Sequence, residues 1–76
     1  MSRKIDVIAY SGYRGEESPR AFYIGDERID IVAVERTWIE EIRENKVRKR
    51  YFRVKGSDSF IHTMYYEDHA DQWYLV

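Results

Sequence analysis

The chain has 76 residues, which allows one small domain and excludes a deep catalytic cleft between two lobes. It contains no cysteine, so neither a disulfide nor a thiolate zinc site can supplement the core. The net charge of −1 hides an uneven distribution, because residues 46–55 carry six basic and no acidic side chains.

The location of the protein is also constrained by its composition. The first residues lack the apolar run of a signal peptide, and no segment has the run of about 20 apolar residues that spans a bilayer. Together with the lack of cysteine, this predicts a soluble cytoplasmic protein in which residues 1–76 form one domain. Aromatic residues make up 16% of the chain, so we expect an aromatic core.

The first predicted strand covers residues 5–13. It has apolar side chains at both odd and even positions, which indicates a strand that is strongly curved or covered on both faces. Glycines and a polar cluster predict a loop over residues 13–18. Because Pro19 cannot donate a ladder hydrogen bond, we expect it at the beginning of the next strand.

A hairpin and a long strand are predicted next. Residues 20–24 alternate in polarity, and Gly25-Asp26 is typical of a two-residue type II′ turn that places Ile24 opposite Glu27. The following strand runs from residue 28 to about residue 36. Its apolar parity shifts between Ile31 and Val32, which predicts a β-bulge or a bend of the kind that small barrels need at their corners.

Residues 38–45 have two interpretations. Thr37 and Glu40 have the spacing of a capping box, and Trp38 and Ile42 lie four apart, so one or two helical turns can follow Trp38. So short a helix is marginal in water unless apolar side chains anchor it. The alternative is an irregular loop held by Trp38, and the sequence does not decide between them.

Residues 46–55 are predicted to form the middle strand of the domain. Phe52 and Val54 lie two apart and face the core, whereas Tyr51 and Arg53 face water. A three-residue loop at residues 56–58 would place Val54 opposite Phe60, Phe52 opposite His62 and Lys49 opposite Tyr65. This register buries Phe60 and Met64, while a slip of one residue would turn Ile61, Thr63 and Tyr65 inward instead.

The last predicted elements are a polar turn at residues 67–71 and a short strand at residues 72–76. Trp73 and Leu75 share one face of that strand. Five or six short antiparallel strands at this spacing predict an all-β fold, either a curled sheet or a small barrel.

Spaced aromatic and turn residues carry a resemblance to other proteins. These residues are Pro19, Phe22, Gly25, Trp38, Tyr51-Phe52-Arg53-Val54 and Trp73-Tyr74-Leu75. In this succession the chain from Pro19 onward resembles a family of short bacterial proteins or domains of unknown function. The resemblance implies a bacterial, intracellular, β-rich module, and it implies no activity.

Residues that could support catalysis or metal binding do not form a recognisable site. The sequence has no nucleophile elbow and no glycine-rich phosphate loop before a helix. His62, His69 and the acids of residues 67–71 lack the paired spacing that places four tetrahedral ligands. We therefore expect a protein that is not an enzyme and that has no metal or cofactor.

Two binding hypotheses remain. One uses exposed aromatic rings such as Trp38 and Tyr65, and the other uses the strand face of Lys49, Tyr51, Arg53 and Lys55 beside Tyr65. The preferred hypothesis is a protein partner bound through exposed aromatics, or self-association through an open strand edge at residues 72–76. The alternative is single-stranded nucleic acid, for which the cations would bind phosphates and the rings would stack on bases. Without a partner, the same residues would be a solvated strand face guarded by its charges.

Overall fold

The computed structural model describes residues 3–11, 17–44 and 46–76, and within these ranges the chain forms seven β-strands and no helix. The strands are β1 (Arg3–Ile5), β2 (Val7–Ser11), β3 (Glu17–Ile24), β4 (Glu27–Ile42), β5 (Val47–Gly56), β6 (Ile61–Glu67) and β7 (Gln72–Leu75). The all-β prediction is confirmed. The strand count exceeds the predicted five or six because the first predicted strand is divided at Asp6.

All seven strands belong to one antiparallel sheet with the order β1-β7-β6-β5-β4-β3-β2. The two outermost strands, β1 and β2, are successive pieces of one segment that bends at Asp6. At this bend the Tyr23 N–H donates a 3.0 Å hydrogen bond to the Asp6 carbonyl. Because one bent segment pairs with β7 on one side and with β3 on the other, the sheet curls into a nearly closed barrel.

The core fills the interior of this barrel with large side chains from most of its strands. Its buried members are Ile5, Phe22, Ile29, Phe52, Val54, Met64 and Trp73. The prediction that Phe52 and Val54 face inward is confirmed, since they are 5% and 0% exposed. Burying one such side chain stabilises the fold by about 1.5–3 kcal/mol, so these few residues supply much of the driving force for folding.

The β3–β4 hairpin and the bend of β4 agree with the sequence. Ile24 pairs with Glu27, and Gly25 has φ 61°, as a type II′ turn requires. Along β4, the pairing with β5 shifts between Ile31 and Ala33 and again between Val34 and Arg36. These two bulges bend the strand, which confirms the interpretation of the parity shift.

Neither interpretation of residues 38–45 is correct, because β4 continues as a regular strand to Ile42. Trp38 pairs with Tyr51, and Ile42 pairs with Val47 at the end of the ladder. Residues four apart share one side of a helix, but an even separation also places them on one face of a strand. On one side of this segment, the backbone groups that a helix would satisfy internally are satisfied by β5. Residue 45, the last residue of this predicted segment, lies outside the described residues.

The predicted register of the β5–β6 hairpin is wrong by two residues. Phe52 pairs with Met64 and Val54 with His62, while Phe60 is 68% exposed and lies outside the core. The loop has three residues as predicted, but it begins one residue later, at Ser57. The Gly56 N–H donates a 2.9 Å bond to the Phe60 carbonyl, and Ser59 takes the left-handed conformation with φ 73°.

Two other boundaries differ from the prediction. Residues 17 and 18 of the predicted loop belong to β3, and residues 13–16 lie outside the described chain. Pro19 is consequently the third residue of β3 rather than its first. It pairs with Ala9 next to a register shift in the β2–β3 ladder, where a missing N–H is tolerated.

The strand edge proposed for self-association is not open. β7 pairs with β6 through Gln72 and with β1 through Leu75, which is opposite Arg3. Because both sides of β7 are hydrogen-bonded, the edge at residues 72–76 is not available to a second chain. The N-terminal segment provides the strand that covers it.

Candidate functional site

Four aromatic side chains lie directly opposite one another on the outer face of β4, β5, β6 and β7. We call this set, Trp38, Tyr51, Tyr65 and Tyr74, the aromatic row. Its ring centroids are 5.1 Å apart for Trp38 and Tyr51, 5.0 Å for Tyr51 and Tyr65, and 5.0 Å for Tyr65 and Tyr74. The row therefore crosses four strands at the spacing expected for cross-strand pairs.

Strand alternation explains why this row lies outside the barrel. Next to Tyr51, Tyr65 and Tyr74 in the sequence are Phe52, Met64 and Trp73, which are buried in the core. Successive side chains of a strand point to opposite faces, so inward packing of these neighbours turns the tyrosines outward. The sheet thus has apolar side chains on both faces in its β5–β7 region.

The members of the row differ in how accessible they are. Trp38, Tyr51 and Tyr74 are half-buried, but Tyr65 is only 7% exposed because a ring packs on each side of it. Tyr65 was predicted as an exposed contact residue, and this is wrong. Its burial comes from neighbouring side chains on the outer face rather than from the core.

Two cations lie against the aromatic row. The Lys49 Nζ is 5.0 Å from the centroid of the Tyr65 ring, and the Arg36 Cζ is 5.2 Å from the ring of Trp38. Contacts of this kind contribute about 0.5–1 kcal/mol each at exposed sites. Lys49 contacts Tyr65 as a diagonal neighbour, since its direct partner on β6 is Glu67 and not Tyr65 as predicted.

The other two predicted basic residues extend this surface along β5. Arg53 and Lys55 are exposed, and they pair with Thr63 and Ile61 on β6. Arg53 also lies opposite Arg36 of β4, so two like charges face each other on the outer side. Sequence reasoning missed Arg36, because residues 37 onward were expected to leave the sheet.

The Tyr51 hydroxyl has an acidic neighbour on β4. Burial raises the pKa of Tyr51, and the charge of the Glu40 carboxylate and its hydrogen bond with the phenol raise it further. Glu40 itself pairs with Lys49 across the β4–β5 ladder. At physiological pH the Tyr51 hydroxyl is consequently a neutral hydrogen-bond donor in the middle of the surface.

His62, one of the residues considered for metal binding, contacts an acidic loop residue and a core ring in the structure. His62 Nε2 lies 2.9 Å from Asp58 Oδ2, and the His62 ring packs edge-on against Phe22. Asp58 also accepts a 3.1 Å hydrogen bond from the Phe60 N–H, so this pair holds the β5–β6 loop. No group of three or more potential metal ligands occurs within residues 3–11, 17–44 and 46–76.

A concave region lies where the N-terminal segment meets the β3–β4 turn. It is a recess of about 490 Å³ lined by residues 3–6 and 23–25. Its lining combines the basic side chains of Arg3 and Lys4 with the acidic side chain of Asp6, so it has no single charge preference. It shares only Lys4 with the neighbourhood of the aromatic row, since Lys4 pairs with Tyr74.

The stacking within the aromatic row limits what can bind there. Because adjacent ring faces contact one another, a planar ligand cannot enter between them without separating a stacked pair. The row is instead a strip of mostly half-buried rings, three of which carry a hydroxyl group. Such a strip is suited to a partner surface that packs against mixed apolar and polar groups.

The chain was compared with known proteins in three ways. No protein-family model matches it, and comparisons with curated proteins and with solved structures also find no match. The fold defines a small all-β barrel, and the resemblance to short bacterial proteins of unknown function stays a prediction. Among the described residues there is no helix long and apolar enough to cross a membrane.

Proposed function

We propose that this chain is a small protein-binding module that has no enzymatic activity. The observation that carries the proposal is the aromatic row, which crosses four strands on the outside of the barrel. No strand or helix of residues 3–11, 17–44 and 46–76 forms a second layer over this face. Large rings placed outside a core that is already filled are typical of surfaces that bind another protein.

The chemistry of the surface fits this role. Tyrosine, tryptophan and arginine are the residue types that contribute most to protein interfaces, and all three occur here in Tyr51, Trp38 and Arg36. The rings are held by stacking before any partner arrives, so binding would cost little side-chain entropy. Lys49, Arg53 and Lys55 add positive charge, which would favour a partner with acidic residues around an apolar centre. A bacterial cytoplasmic location belongs to the same proposal.

Single-stranded nucleic acid is the second candidate. It is favoured by the cations Arg36, Lys49, Arg53 and Lys55 on the face that carries the rings. It is disfavoured because the rings stack on one another and Tyr65 is buried, so few ring faces are free for bases. The chain's 14 acidic residues, of which Glu40 lies beside Tyr51 on this face, would also repel the polymer.

The protein-binding proposal is tested by affinity capture from a bacterial lysate with the immobilised chain. We expect Trp38→Ala to lose the captured proteins, because it removes the ring at one end of the aromatic row. Val32→Ala is the matched control, since Val32 is on the same strand and 65% exposed but is not part of the row. An identical set of captured proteins from the parent and Trp38→Ala would contradict the proposal.

Nucleic-acid binding is tested separately by fluorescence anisotropy with a mixed pool of single-stranded oligonucleotides. If this candidate is correct, affinity falls steeply between low and moderate salt, because binding releases counterions. The double variant Lys49→Glu and Arg53→Glu would then abolish binding. We expect no binding at low salt, and a steep salt dependence that disappears in the double variant would favour nucleic acid over protein.

A further inference from the structure

Among the described strands, only β5 lies beside the distal half of β4. Residues 36–42 pair with β5, whereas the pairing of β4 with β3 covers only residues 27–30. In the parts of the chain that the structure describes, no other strand lies along the opposite edge of residues 36–42. Within the described residues, the N–H and C=O groups on that edge have no partner strand, so they can pair with a strand of another chain.

This edge carries the charged residues Arg36, Glu40 and Glu41, but it lacks other features that keep strand edges from pairing. It contains no proline and no lysine, and both bulges of β4 lie before Thr37. Ile39 and Ile42 are 49% and 42% exposed, although they lie on a regular strand. An unpaired strand edge with exposed apolar side chains is a template for β-strand addition.

The charges of the edge indicate which strand would fit. If two copies of β4 lie side by side and antiparallel, a two-fold axis perpendicular to the sheet keeps each side chain on its own face. Opposed residues then have numbers that are both odd or both even. At the axis, one residue therefore lies opposite the same residue of the other copy. An axis at Trp38 places Arg36 of each copy opposite Glu40 of the other, which forms two ion pairs on the outer face.

Neighbouring axes are less favourable. An axis at Ile39 places Arg36 opposite Ile42 and Trp38 opposite Glu40, so neither charge finds an opposite charge. An axis at Glu40 places two carboxylates opposite each other. The Trp38 axis also brings the two Trp38 side chains together, so that the aromatic rows of both copies would form one continuous row.

We propose that the chain forms a two-fold symmetric dimer by antiparallel pairing of the β4 edge, with the axis at Trp38. This inference goes beyond the proposed function, because it concerns a strand edge and a second copy of the chain rather than the outer face and a different partner. The pairing covers residues 36–40 of each copy and stops at the bulge that precedes Arg36.

The absence of cysteine makes the register directly testable by cross-linking. Directly opposed residues of antiparallel strands have Cα atoms about 4.5–5.5 Å apart, which is within the range of a disulfide. We expect a mixture of the Arg36→Cys and Glu40→Cys variants to form a disulfide heterodimer in a glutathione redox buffer. This heterodimer keeps one of the two ion pairs, because one copy retains Glu40 and the other retains Arg36.

Each variant alone is the control. In the proposed register, identical thiols would be four residues apart along the strands, or about 13 Å, which is too far for a bond. Both single-variant samples should therefore remain monomeric on a non-reducing gel. Absence of heterodimer in the mixture would overturn the proposal, and so would efficient cross-linking of an Ile39→Cys variant to itself, which would place the axis at Ile39.

Sedimentation equilibrium of the cysteine-free chain gives an independent measurement. Arg36→Glu should raise the dimer dissociation constant by about tenfold or more, because two ion pairs become two repulsions. Combining Arg36→Glu with Glu40→Arg should restore the parent value, and thermal unfolding of each variant shows whether the fold is intact. A parent chain that stays monomeric at all concentrations would overturn the dimer, while leaving capture of other proteins on the outer face unaffected.

Discussion

Gly56 and Ile29 approach each other so closely inside the barrel that a Cβ atom on Gly56 would lie 2.8 Å from Ile29 Cγ2. The same atom would lie 2.5 Å from Asp58 Oδ1, which holds the β5–β6 loop. We therefore predict that Gly56→Ala lowers the free energy of unfolding by about 1–3 kcal/mol through overpacking. Urea denaturation of the parent and the variant measures this difference.

Gly25 is the control for this prediction, because its surroundings are empty and its backbone is constrained. Among the described residues other than its two chain neighbours, no atom lies within 4 Å of the position of its Cβ, but its φ of 61° is unfavourable for alanine. Gly25→Asn should therefore cost less than Gly25→Ala, since asparagine tolerates positive φ better than alanine does. At Gly56 the larger asparagine should be worse than alanine, and the opposite order would contradict the steric explanation.

Phe52 is the second position at which stability can be predicted. Its side chain is 5% exposed and packs against Trp73 with ring centroids 5.4 Å apart. Phe52→Ala should cost about 3–5 kcal/mol, which is a large part of the stability of so small a domain. Arg53→Ala, at the adjacent exposed position, should change stability by no more than about 0.5 kcal/mol. If Phe52→Ala melts at the parent temperature, the facing of β5 is wrong.

The Asp58 carboxylate should make the free energy of unfolding depend on pH. Burial opposes its ionisation, but the hydrogen bond from the Phe60 N–H and the contact with His62 outweigh this and lower the pKa of Asp58. Its stabilising effect is complete above the ordinary aspartate pKa of about 3.9 and is lost as the pH falls through the lower value of the folded state.

The corresponding measurement compares the parent with Asp58→Asn, which keeps an oxygen to accept the Phe60 N–H. The parent should be the more stable protein above about pH 4, and the two stability curves should converge below it. Urea denaturation from about pH 2.5 to about pH 7 gives both curves, because this range extends below and above the ordinary carboxyl pKa. A difference that stays constant over this range would mean that the charge of Asp58 contributes nothing.

Lys46 offers a stabilising substitution in the β4–β5 turn. Its φ is 57°, so a residue with a side chain occupies the left-handed conformation there. This conformation costs a non-glycine residue about 1–2 kcal/mol, and glycine avoids that cost. Part of the gain is offset because glycine gives the unfolded chain more conformational entropy. Lys46→Gly should therefore raise the free energy of unfolding by about 0.5–1 kcal/mol. A lower thermal midpoint for this variant would show that the lysine side chain stabilises the turn by more than its backbone strain.

The sequence predicted the parts of the fold that depend on alternation and short-range turn chemistry. Phe52 and Val54 face inward because apolar residues two apart require it, and Gly25-Asp26 forms the predicted turn because only that pair suits a type II′ turn there. The bulges of β4 were visible in the parity shift at Ile31 and Val32. Each of these signals involves neighbouring residues only.

The errors arise where tertiary contacts decide between local alternatives. Trp38 and Ile42 are equally compatible with a helix and a strand, and the pairing with β5 selects the strand. In the β5–β6 hairpin, Gly56 suggested the start of the loop, but the left-handed position falls on Ser59, so the register moves by two residues. The even shift preserved the facing of the paired strand residues, although it moved Phe60 out of the core, and this is why the core was predicted better than the register.

The candidate site was predicted in part for the same reasons. The outward facing of Lys49, Tyr51, Arg53 and Lys55 follows from the alternation of β5. That Trp38 and Tyr74 line up with Tyr51 and Tyr65 depends on the register of three ladders, which no single segment reveals. Tyr65 is buried only because this alignment places a ring on each side of it.

Pairing of β1 with β7 joins the two ends of the described chain, since Arg3 is opposite Leu75. A contact between residues so distant in sequence requires nearly the whole chain to be ordered around it, which gives the fold a high contact order. We expect the hairpins at the centre of the sheet, β4–β5 and β5–β6, to form early and the β1–β7 ladder to close last. Folding should take about milliseconds to seconds. Until that closure, the free edge of β7 is exposed, so the unclosed intermediate is the species most prone to aggregate during refolding.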